Sequence, residues 1–395
     1  MPWRESSFMS ERLEFVKACL DRTERILVIC DRFGISEKTG QKWLKRFRGE
    51  GPSGLADRSH ARLTQSHRMS VEVAERIVAL RRKYPLYGAQ KLHDWLVIHE
   101  PEEHWPVASS IGELLKRTNL IQARRRGHHP EERKALDGSR TRAVEPNMVW
   151  TADFKGQFRL RNGSGVYCYP LTVLDLHTHY LLGCTALQTT SVGQTRHVFV
   201  RLFREYGLPL VLRTDNGIPF AQPNALGRLG SLAFWWVRLG IKPEHIALGK
   251  PSENGAHERF HKTLKAATTR PASHSFSAQQ RRFDLYKTEY NTLRPHLSVQ
   301  EHRPPGHLYT SSPRAYPARL PALVYPQTAA VRLVNTNGHI KWRNQLLFLS
   351  SNLAGEYVAL TEAADGLFTV SYGALQLGDF DCSTNRFTPR IRWSS

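Results

Sequence analysis

Three acidic residues stand at positions where carboxylates are unexpected. Asp153 interrupts an apolar run typical of a β-strand, Asp215 closely follows the apolar run Pro209–Leu212, and Glu258 lies in a helical segment. Burying a carboxylate costs several kcal/mol unless a cation or hydrogen bonds compensate for the lost water. Because proteins bind Mg²⁺ through a few carboxylates together with phosphate oxygens, these side chains predict a divalent-metal site.

Each acid lies within a longer motif. The motifs are Trp150–Gly156 (WTADFKG), Thr214–Phe220 (TDNGIPF), Asn254–Phe260 (NGAHERF) and, after these, Tyr290–His296 (YNTLRPH). The first three resemble the signatures of the DDE transposase/integrase superfamily, and the closest resemblance is to insertion-sequence transposases of the IS481 and IS3 groups. The resemblance extends over about residues 10–380 and implies a ribonuclease-H-like core.

The resemblance implies a reaction and its cofactor. Asp153, Asp215 and Glu258 would be the catalytic residues and the ligands of two Mg²⁺ ions, for which Mn²⁺ is expected to substitute. The reaction would be DNA cleavage followed by strand transfer at the terminal inverted repeats of a mobile element. It would need no ATP and no covalent enzyme intermediate. The expected assembly is a homodimer or higher homo-oligomer on double-stranded DNA.

Glu253 is the alternative third ligand. Between Asp215 and Glu258 lie 42 residues, more than in many members of the family, whereas Glu253 would leave 37. Glu258 is preferred because it lies inside the third motif and because Lys262 and Lys265 follow it at helical spacing, on the face where DNA phosphates would lie. Glu253 is expected at the start of the helix, where acidic residues often act as caps.

The segment ahead of these motifs is predicted to bind DNA. Residues 1–58 have the pattern of three helices, with Gly34 in a tight turn and Ser36 as the N-cap of the third helix. This is the helix-turn-helix pattern, in which the last helix enters the major groove. The predicted DNA contacts on that helix are Lys38, Gln41, Lys42, Lys45 and Arg46.

Further domains are expected along the chain. A second helical DNA-binding module is predicted over residues 66–122, followed by a basic linker over 123–146 and the catalytic core over 147–270. A helical, Pro-rich connection over 271–315 would lead to a small β domain over 316–395. In the linker, the predicted DNA contacts are Arg124, Arg125 and Arg126.

The C-terminal residues have the pattern of short strands. Asn337–Gly338 and Asp365–Gly366 are predicted hairpin turns, and a small β-barrel is the expected arrangement. The predicted fold class is therefore multidomain, with N-terminal all-α helix-turn-helix modules, a central α/β ribonuclease-H-like core and a C-terminal small β-barrel.

The composition favours a long polyanion as the partner. The 395 residues include 56 Lys and Arg against 35 Asp and Glu, a formal net charge of +21, and every third of the chain is net basic. No run approaches the roughly 18 apolar residues of a transmembrane helix, and the five cysteines form no CxxC pair. We expect a cytoplasmic, nucleoid-associated protein of bacterial type, without membrane contact, disulfide framework or zinc.

Two other functions stay open. A ribonuclease H-type nuclease would cut without strand transfer, but a nonspecific nuclease would not need two helical DNA-binding modules. A catalytically inactive or regulatory DNA-binding protein would retain the core without its chemistry, and the intact Asp153, Asp215 and Glu258 argue against it.

Overall fold

The computed structural model describes residues 8–58, 69–121, 140–161, 163, 165–246 and 255–393. The chain divides into two compact units, Met1–Arg68 and Met69–Ser395. The finer division into six segments stays a prediction. In the described part of the chain, no helix has the length and apolar character needed to cross a membrane.

The first unit is a three-helix domain. Its helices are α1 (Phe8–Leu20), α2 (Ile26–Arg32) and α3 (Glu37–Glu50). Gly34 has a φ of +65° in the turn, and the Ser36 side chain accepts a hydrogen bond from the Thr39 amide at 3.3 Å, as the sequence predicts. Gly40 allows α3 to approach α2 closely, because a Cβ there would lie 2.5 Å from Cys30 Sγ.

The second unit begins with another helical module. Helices α4 (Val71–Lys83), α5 (Ala89–His99) and α6 (Ala108–Arg117) bury Leu92, Leu96 and Ile111 in one apolar cluster. All three lie within the predicted range 66–122. Ser70 is the N-cap of α4, and Pro85 and Pro106 lie in the connections between the helices.

A mixed six-stranded sheet follows. Its strands are β1 (Val149–Phe154), β2 (Phe158–Arg159), β3 (Tyr167–Asp175), β4 (Leu181–Leu187), β5 (Val211–Thr214) and β6 (Lys242–His245). Strands β4, β3, β1, β5 and β6 lie side by side, and β2 pairs with the beginning of β3. Pairing is antiparallel among β1, β3 and β4, and parallel from β1 through β5 to β6. This is the central α/β ribonuclease-H-like core that the sequence predicts.

Helices cover both faces of this sheet. They are α7 (Val192–Tyr206), α8 (Ser231–Arg238), α9 (Gly255–Thr268) and α10 (Phe276–Thr292). Trp150 and Ala152 of β1 pack with α7 and α8, whereas Leu174 of β3 packs with α9 and α10. Since side chains alternate along a strand, Thr151 and Asp153 face the α9 side of the sheet.

The fourth motif anchors α10 to the sheet. Asn291 accepts a hydrogen bond from the Leu181 amide at 2.9 Å and donates one to the Leu181 carbonyl at 3.0 Å. Its side chain therefore pairs with the backbone of β4 as another strand would. The second helical module contacts the same region, where the Tyr87 hydroxyl donates to Glu289 at 3.2 Å.

The C-terminal strands form sheets instead of the predicted barrel. They are β7 (Ala330–Leu333), β8 (His339–Trp342), β9 (Gln345–Phe348), β10 (Tyr357–Ala364), β11 (Leu367–Tyr372), β12 (Leu375–Asp381) and β13 (Arg386–Trp393). Strands β13, β12, β11, β10 and β7 form an open sheet in that order, and β8 pairs with β9.

The expected closed barrel is wrong for a physical reason. The inner face of the open sheet is buried against the central core, as in the contact of Phe234 with Tyr372, whose ring centroids lie 5.5 Å apart. A sheet whose apolar face is already covered has no need to close on itself. The chain does turn at Asn337–Gly338, yet β7 pairs with β10 and not with β8. The Asp365–Gly366 hairpin is confirmed by the pairing of β10 with β11.

Candidate active site

Two of the three predicted acids lie at the carboxyl ends of adjacent parallel strands, β1 and β5. Ala152 of β1 lies opposite Thr214 of β5, so Asp153 and Asp215 occupy the next position along each strand, at the same edge of the sheet. Alternation places both side chains on the α9 face. The carboxyl ends of neighbouring parallel strands thus bring Asp153 and Asp215 to adjacent positions.

The surroundings of both aspartates are poorly hydrated. The Asp153 side chain is 16% exposed. Burial raises the pKa of Asp215, although the Gly217 amide, 3.2 Å from Oδ1, and nearby His245 act in the opposite direction. Two partly dehydrated carboxylates at one sheet edge are a donor set suited to a divalent cation, which would offset their charge.

The third acid lies on the neighbouring helix. Glu258 is in the first turn of α9 with an exposed side chain, while Phe260 and Leu264 anchor that helix in the apolar cluster beneath it. Among the described residues, no three His, Cys, Asp or Glu side chains are gathered into a group that could hold a metal. A complete ligand set therefore requires the Glu258 side chain to move toward the aspartates, or an acid from residues 247–254. The rival Glu253 lies in that range, outside the described residues.

A buried hydrogen-bond network joins α9 to the sheet beside Asp153. The Thr172 hydroxyl of β3 lies 2.9 Å from His257 Nε2, 2.8 Å from His261 Nε2 and 3.0 Å from the Asp153 carbonyl oxygen. Thr151 Oγ1 lies 2.9 Å from His257 Nδ1. We call Thr151, Thr172, His257 and His261 the threonine–histidine network. All four residues are at least 91% buried, and sequence reasoning missed them.

Proton counting assigns each bond in the threonine–histidine network. Burial lowers the pKa of His261 to about 3 and that of His257 well below its usual value, so both rings are neutral at pH 7. A neutral imidazole has one donor and one acceptor, and a hydroxyl has one donor. The Thr172 hydroxyl donates to the Asp153 carbonyl, so both histidines donate Nε2–H to Thr172. His257 Nδ1 then accepts from Thr151, and His261 Nδ1 is an acceptor 3.8 Å from Asp153 Oδ2.

Basic side chains lie near the aspartates. Burial lowers the pKa of Lys155, helped by the charges of Lys265 and Arg270, while Asp153 raises it. Lys262 and Lys265 are exposed on α9. The positive charges of Lys155 and Lys265 near Asp153 can offset the charge of a bound phosphate backbone.

A largely buried ion pair joins β5 to β6, and Thr141, in the segment that precedes β1, forms hydrogen bonds with both of its members. Arg213 Nη2 lies 2.9 Å from Glu244 Oε2, and each side chain is 11% exposed. Burial would raise the pKa of Glu244, but hydrogen bonds from Thr141 and Arg213 and the charges of Arg213 and Lys242 hold it below its usual value. The pair joins β6 to β5, the strand that immediately precedes Asp215.

The predicted DNA-contacting residues of α3 lie largely on its outer face. Lys38, Gln41, Lys42 and Lys45 are exposed, and Arg46 is half-buried with its guanidinium 5.1 Å from the centre of the Trp43 ring. The linker residues Arg124, Arg125 and Arg126 lie outside the described residues.

Family models match both the helical and the central segments. An "Integrase core domain" model matches residues 143–251, which contain Asp153 and Asp215, and a second one matches residues 239–305, which contain Glu258. A "Helix-turn-helix domain" model matches residues 11–62, and a "Homeodomain-like domain" model matches residues 39–115. The core matches coincide with the mixed sheet and its covering helices. Residues 143–305 are an integrase core of the DDE transposase/integrase superfamily.

Relatives of the integrase core occur in retroviral polyproteins. The chain is 24% identical over 203 residues to the Pol polyprotein of Feline endogenous virus ECE1 and to the Gag-Pol polyprotein of Baboon endogenous virus (strain M7). These matches cover 49% of this chain but only 18% and 11% of the polyproteins. The Gag-Pol polyprotein of Avian reticuloendotheliosis virus is 27% identical over 127 residues, 32% of this chain and 10% of the polyprotein.

Two solved structures are similar to parts of the chain. The HTLV-2 integrase catalytic core domain in complex with magnesium is 14% identical, with 42% of this chain and 99% of that chain covered and a TM-score of 0.33. The simian T-cell lymphotropic virus intasome in complex with PP2A regulatory subunit B56 gamma is 13% identical, with 81% and 98% covered and a TM-score of 0.34. The specific likeness to the IS481 and IS3 groups stays a prediction.

Proposed function

We propose that this protein is a DNA transposase that binds the terminal inverted repeats of a mobile element and catalyses their cleavage and strand transfer. The observation that carries the proposal is the placement of Asp153 and Asp215 at adjacent positions of an integrase core. Helix-turn-helix sequence ahead of that core supports recognition of DNA by the same chain.

Asp153, Asp215 and Glu258 are the proposed ligands of two Mg²⁺ ions. When bound, such ions supply charge neutralisation and activation of oxygen for in-line phosphoryl transfer. Asp153 and Asp215 provide two partly dehydrated carboxylates at the ends of β1 and β5, and α9 carries the third. Lys155 and Lys265 lie where they would hold the phosphate backbone of the DNA beside Asp153.

Recognition of the DNA ends is proposed to begin at α3. Its exposed Lys38, Gln41 and Lys42 can contact phosphates and base edges from one helix face. We also propose that the protein acts as a homodimer or higher homo-oligomer on DNA and works in the bacterial cytoplasm. The net charge of +21 supports a partner with a long negative backbone.

Cleavage assays with two substrates test this function against the ribonuclease H-type alternative. The purified protein is incubated in Mg²⁺ or EDTA with a duplex that ends in the element's terminal repeat, or with an RNA–DNA hybrid of the same sequence. We expect Mg²⁺-dependent cleavage at the repeat end and little cutting of the hybrid. Preferential degradation of the RNA–DNA hybrid would contradict the proposed transposase activity. If neither the repeat duplex nor the hybrid is cut, the result would favour a catalytically inactive regulatory protein.

A further inference from the structure

Thr172 lies where the strand of Asp153 meets the helix of Glu258. It stands opposite Asp153 in the β1–β3 pairing and is completely buried. Its hydroxyl contacts two residues of α9, His257 and His261, which are one helical turn apart, as well as the Asp153 carbonyl. One side chain thus connects β3, β1 and α9.

We infer that the Thr172 hydroxyl is a positioning group for the candidate metal site, because it fixes the register of α9 and Glu258 against β1 and Asp153. The inference rests on the proposed function of these acids as metal ligands. Metal-ligand side chains must be held to within about 0.5 Å, and residues behind the ligands normally provide this precision.

Apolar packing alone would fix this register less well. Phe260 and Leu264 press α9 onto the sheet, but dispersion contacts are non-directional, so a helix can slide or rotate over them at little cost. The hydrogen bonds of His257 and His261 to a single oxygen are directional, and they hold two successive turns of α9. Glu258 lies between these two histidines in the sequence, so the register of its turn depends on them.

Removal of the hydroxyl takes the shared acceptor away from both histidines at once. In Thr172→Val, two imidazole N–H donors lose their acceptor in a buried environment, and the Asp153 carbonyl loses the hydroxyl donor while its strand pairing with β3 persists. The imidazole rings are then expected to rotate toward other acceptors. Rotation of the two imidazole rings is expected to shift α9 against the sheet and therefore to displace Glu258. Substitution of residues that hydrogen-bond to and orient metal ligands typically weakens metal affinity or activity by about 10- to 100-fold.

The test compares Thr172→Val with Thr172→Ser, which keeps the hydroxyl. Thr185→Val is the matched control, since Thr185 is buried in adjacent strand β4 and accepts a hydrogen bond from Arg201 at 2.8 Å, away from the aspartates. Mn²⁺ affinity is measured on the full chain by electron paramagnetic resonance, with Asp153→Asn defining the specific component. Mg²⁺-dependent cleavage and thermal unfolding are measured in parallel.

We expect Thr172→Val to weaken specific Mn²⁺ binding and cleavage by about 10-fold or more. Thr172→Ser should restore both to within about threefold of wild type, and Thr185→Val should leave both unchanged despite its lower melting temperature. Thr172→Val with normal Mn²⁺ affinity, or Thr172→Ser as weak as Thr172→Val, would overturn the inference.

A second variant covers the case in which Thr172→Val does not fold. Thr151→Val removes only the donor to His257 Nδ1, at the outer end of the network. It should weaken Mn²⁺ binding in the same direction by a smaller factor, and an unchanged affinity would then overturn the inference. Failure of the wild type to cleave repeat DNA would instead contradict the proposed function, while the Mn²⁺ measurements would still decide the role of Thr172.

Discussion

Asp153 and Asp175 lie three positions apart on the pairing of β1 with β3, yet their environments differ. Asp175 is fully buried and accepts hydrogen bonds from the Asn147 amide at 2.7 Å, the Thr178 amide at 2.8 Å and the Thr178 hydroxyl at 2.7 Å. Asp153 lies at the partly open sheet edge beside Asp215. Asp175 therefore has a structural role in the turn, whereas Asp153 is the carboxylate that we propose binds metal.

The contrast between these acids gives the first prediction. Asp153→Asn should abolish cleavage while folding and DNA binding persist, and it should keep or raise the melting temperature without metal, since repulsion with Asp215 is removed. Asp175→Asn should lower stability by about 1–3 kcal/mol, because an amide cannot accept all three hydrogen bonds. Cleavage, gel-shift and thermal-unfolding measurements check both variants. An Asp153→Asn protein that still cuts in Mg²⁺ would remove Asp153 from the site.

The second prediction distinguishes the two candidate glutamates. Glu258→Gln should lose cleavage and strand transfer but retain DNA binding, because it removes a negative ligand from a helix that the core anchors through Phe260 and Leu264. Glu253→Gln should cost at most a capping or dipole contribution of about 0.3–1 kcal/mol. Both activities are measured on repeat DNA. Loss of activity in Glu253→Gln alone would reverse the assignment.

The sequence indicated the candidate metal ligands, but it gave little indication of the threonine–histidine network that packs beside them. A lone Asp in an apolar run signals a site, because burial of its charge needs a reason. Thr172 and His257 give no such signal, since each is an ordinary residue of a strand or helix. Their bond joins residues 85 positions apart and depends on the tertiary packing of α9. The spacing of His257 and His261 on the apolar side of a helix was the one available hint.

At the scale of elements, local chemistry predicted the helices and missed the long-range strand pairing. Ser36 caps α3 as predicted, because N-cap preference is a local property. The pairing of β7 with β10 depends on segments more than 20 residues apart, and a hairpin signal at Asn337–Gly338 carries no information about it. The barrel prediction failed because the sequence did not reveal that the central core covers the sheet.

The third prediction concerns the ion pair that fixes β5 and β6. Glu244→Gln leaves Arg213 buried without its partner and should lower stability near pH 7 by about 3 kcal/mol. Because the folded state lowers the pKa of Glu244, the wild-type contribution is present above pH 4.5 and is lost as the pH falls through the folded-state pKa. Urea unfolding of both proteins at several pH values checks this. A difference that is as large in strong acid as at pH 7 would contradict it.

Glu113→Gln is the matched control for that experiment. Its pair with Lys116 is exposed, with 64% and 62% of the side chains accessible, so its removal should not change the unfolding midpoint measurably.

At the scale of the whole molecule, the proposed function assigns DNA recognition and chemistry to different segments of one basic chain. The helix-turn-helix match ends at residue 62, and the integrase core match begins at residue 143. Such a division predicts that binding and cleavage can be altered separately.

The fourth prediction tests this separation. Alanine substitution of Lys38, Gln41 and Lys42 should weaken binding to terminal-repeat DNA, and any base contact among them adds about 1–3 kcal/mol of discrimination over random DNA. Each lost phosphate contact should lower the slope of log affinity against log salt by about 1. Fluorescence anisotropy over a salt series checks both effects. Equal affinity of the wild type for repeat and random DNA would contradict a recognition role for α3.

Strand transfer by the purified protein tests the central claim most directly. A labelled duplex with an exposed 3′-hydroxyl at the terminal repeat is incubated with supercoiled target DNA, with Mg²⁺ or with EDTA. The account predicts covalently joined products that require Mg²⁺ and the wild-type Asp153, and that are absent with Asp153→Asn. Joined products that persist with Asp153→Asn, or cleavage of the ends without any joining to the target, would contradict it.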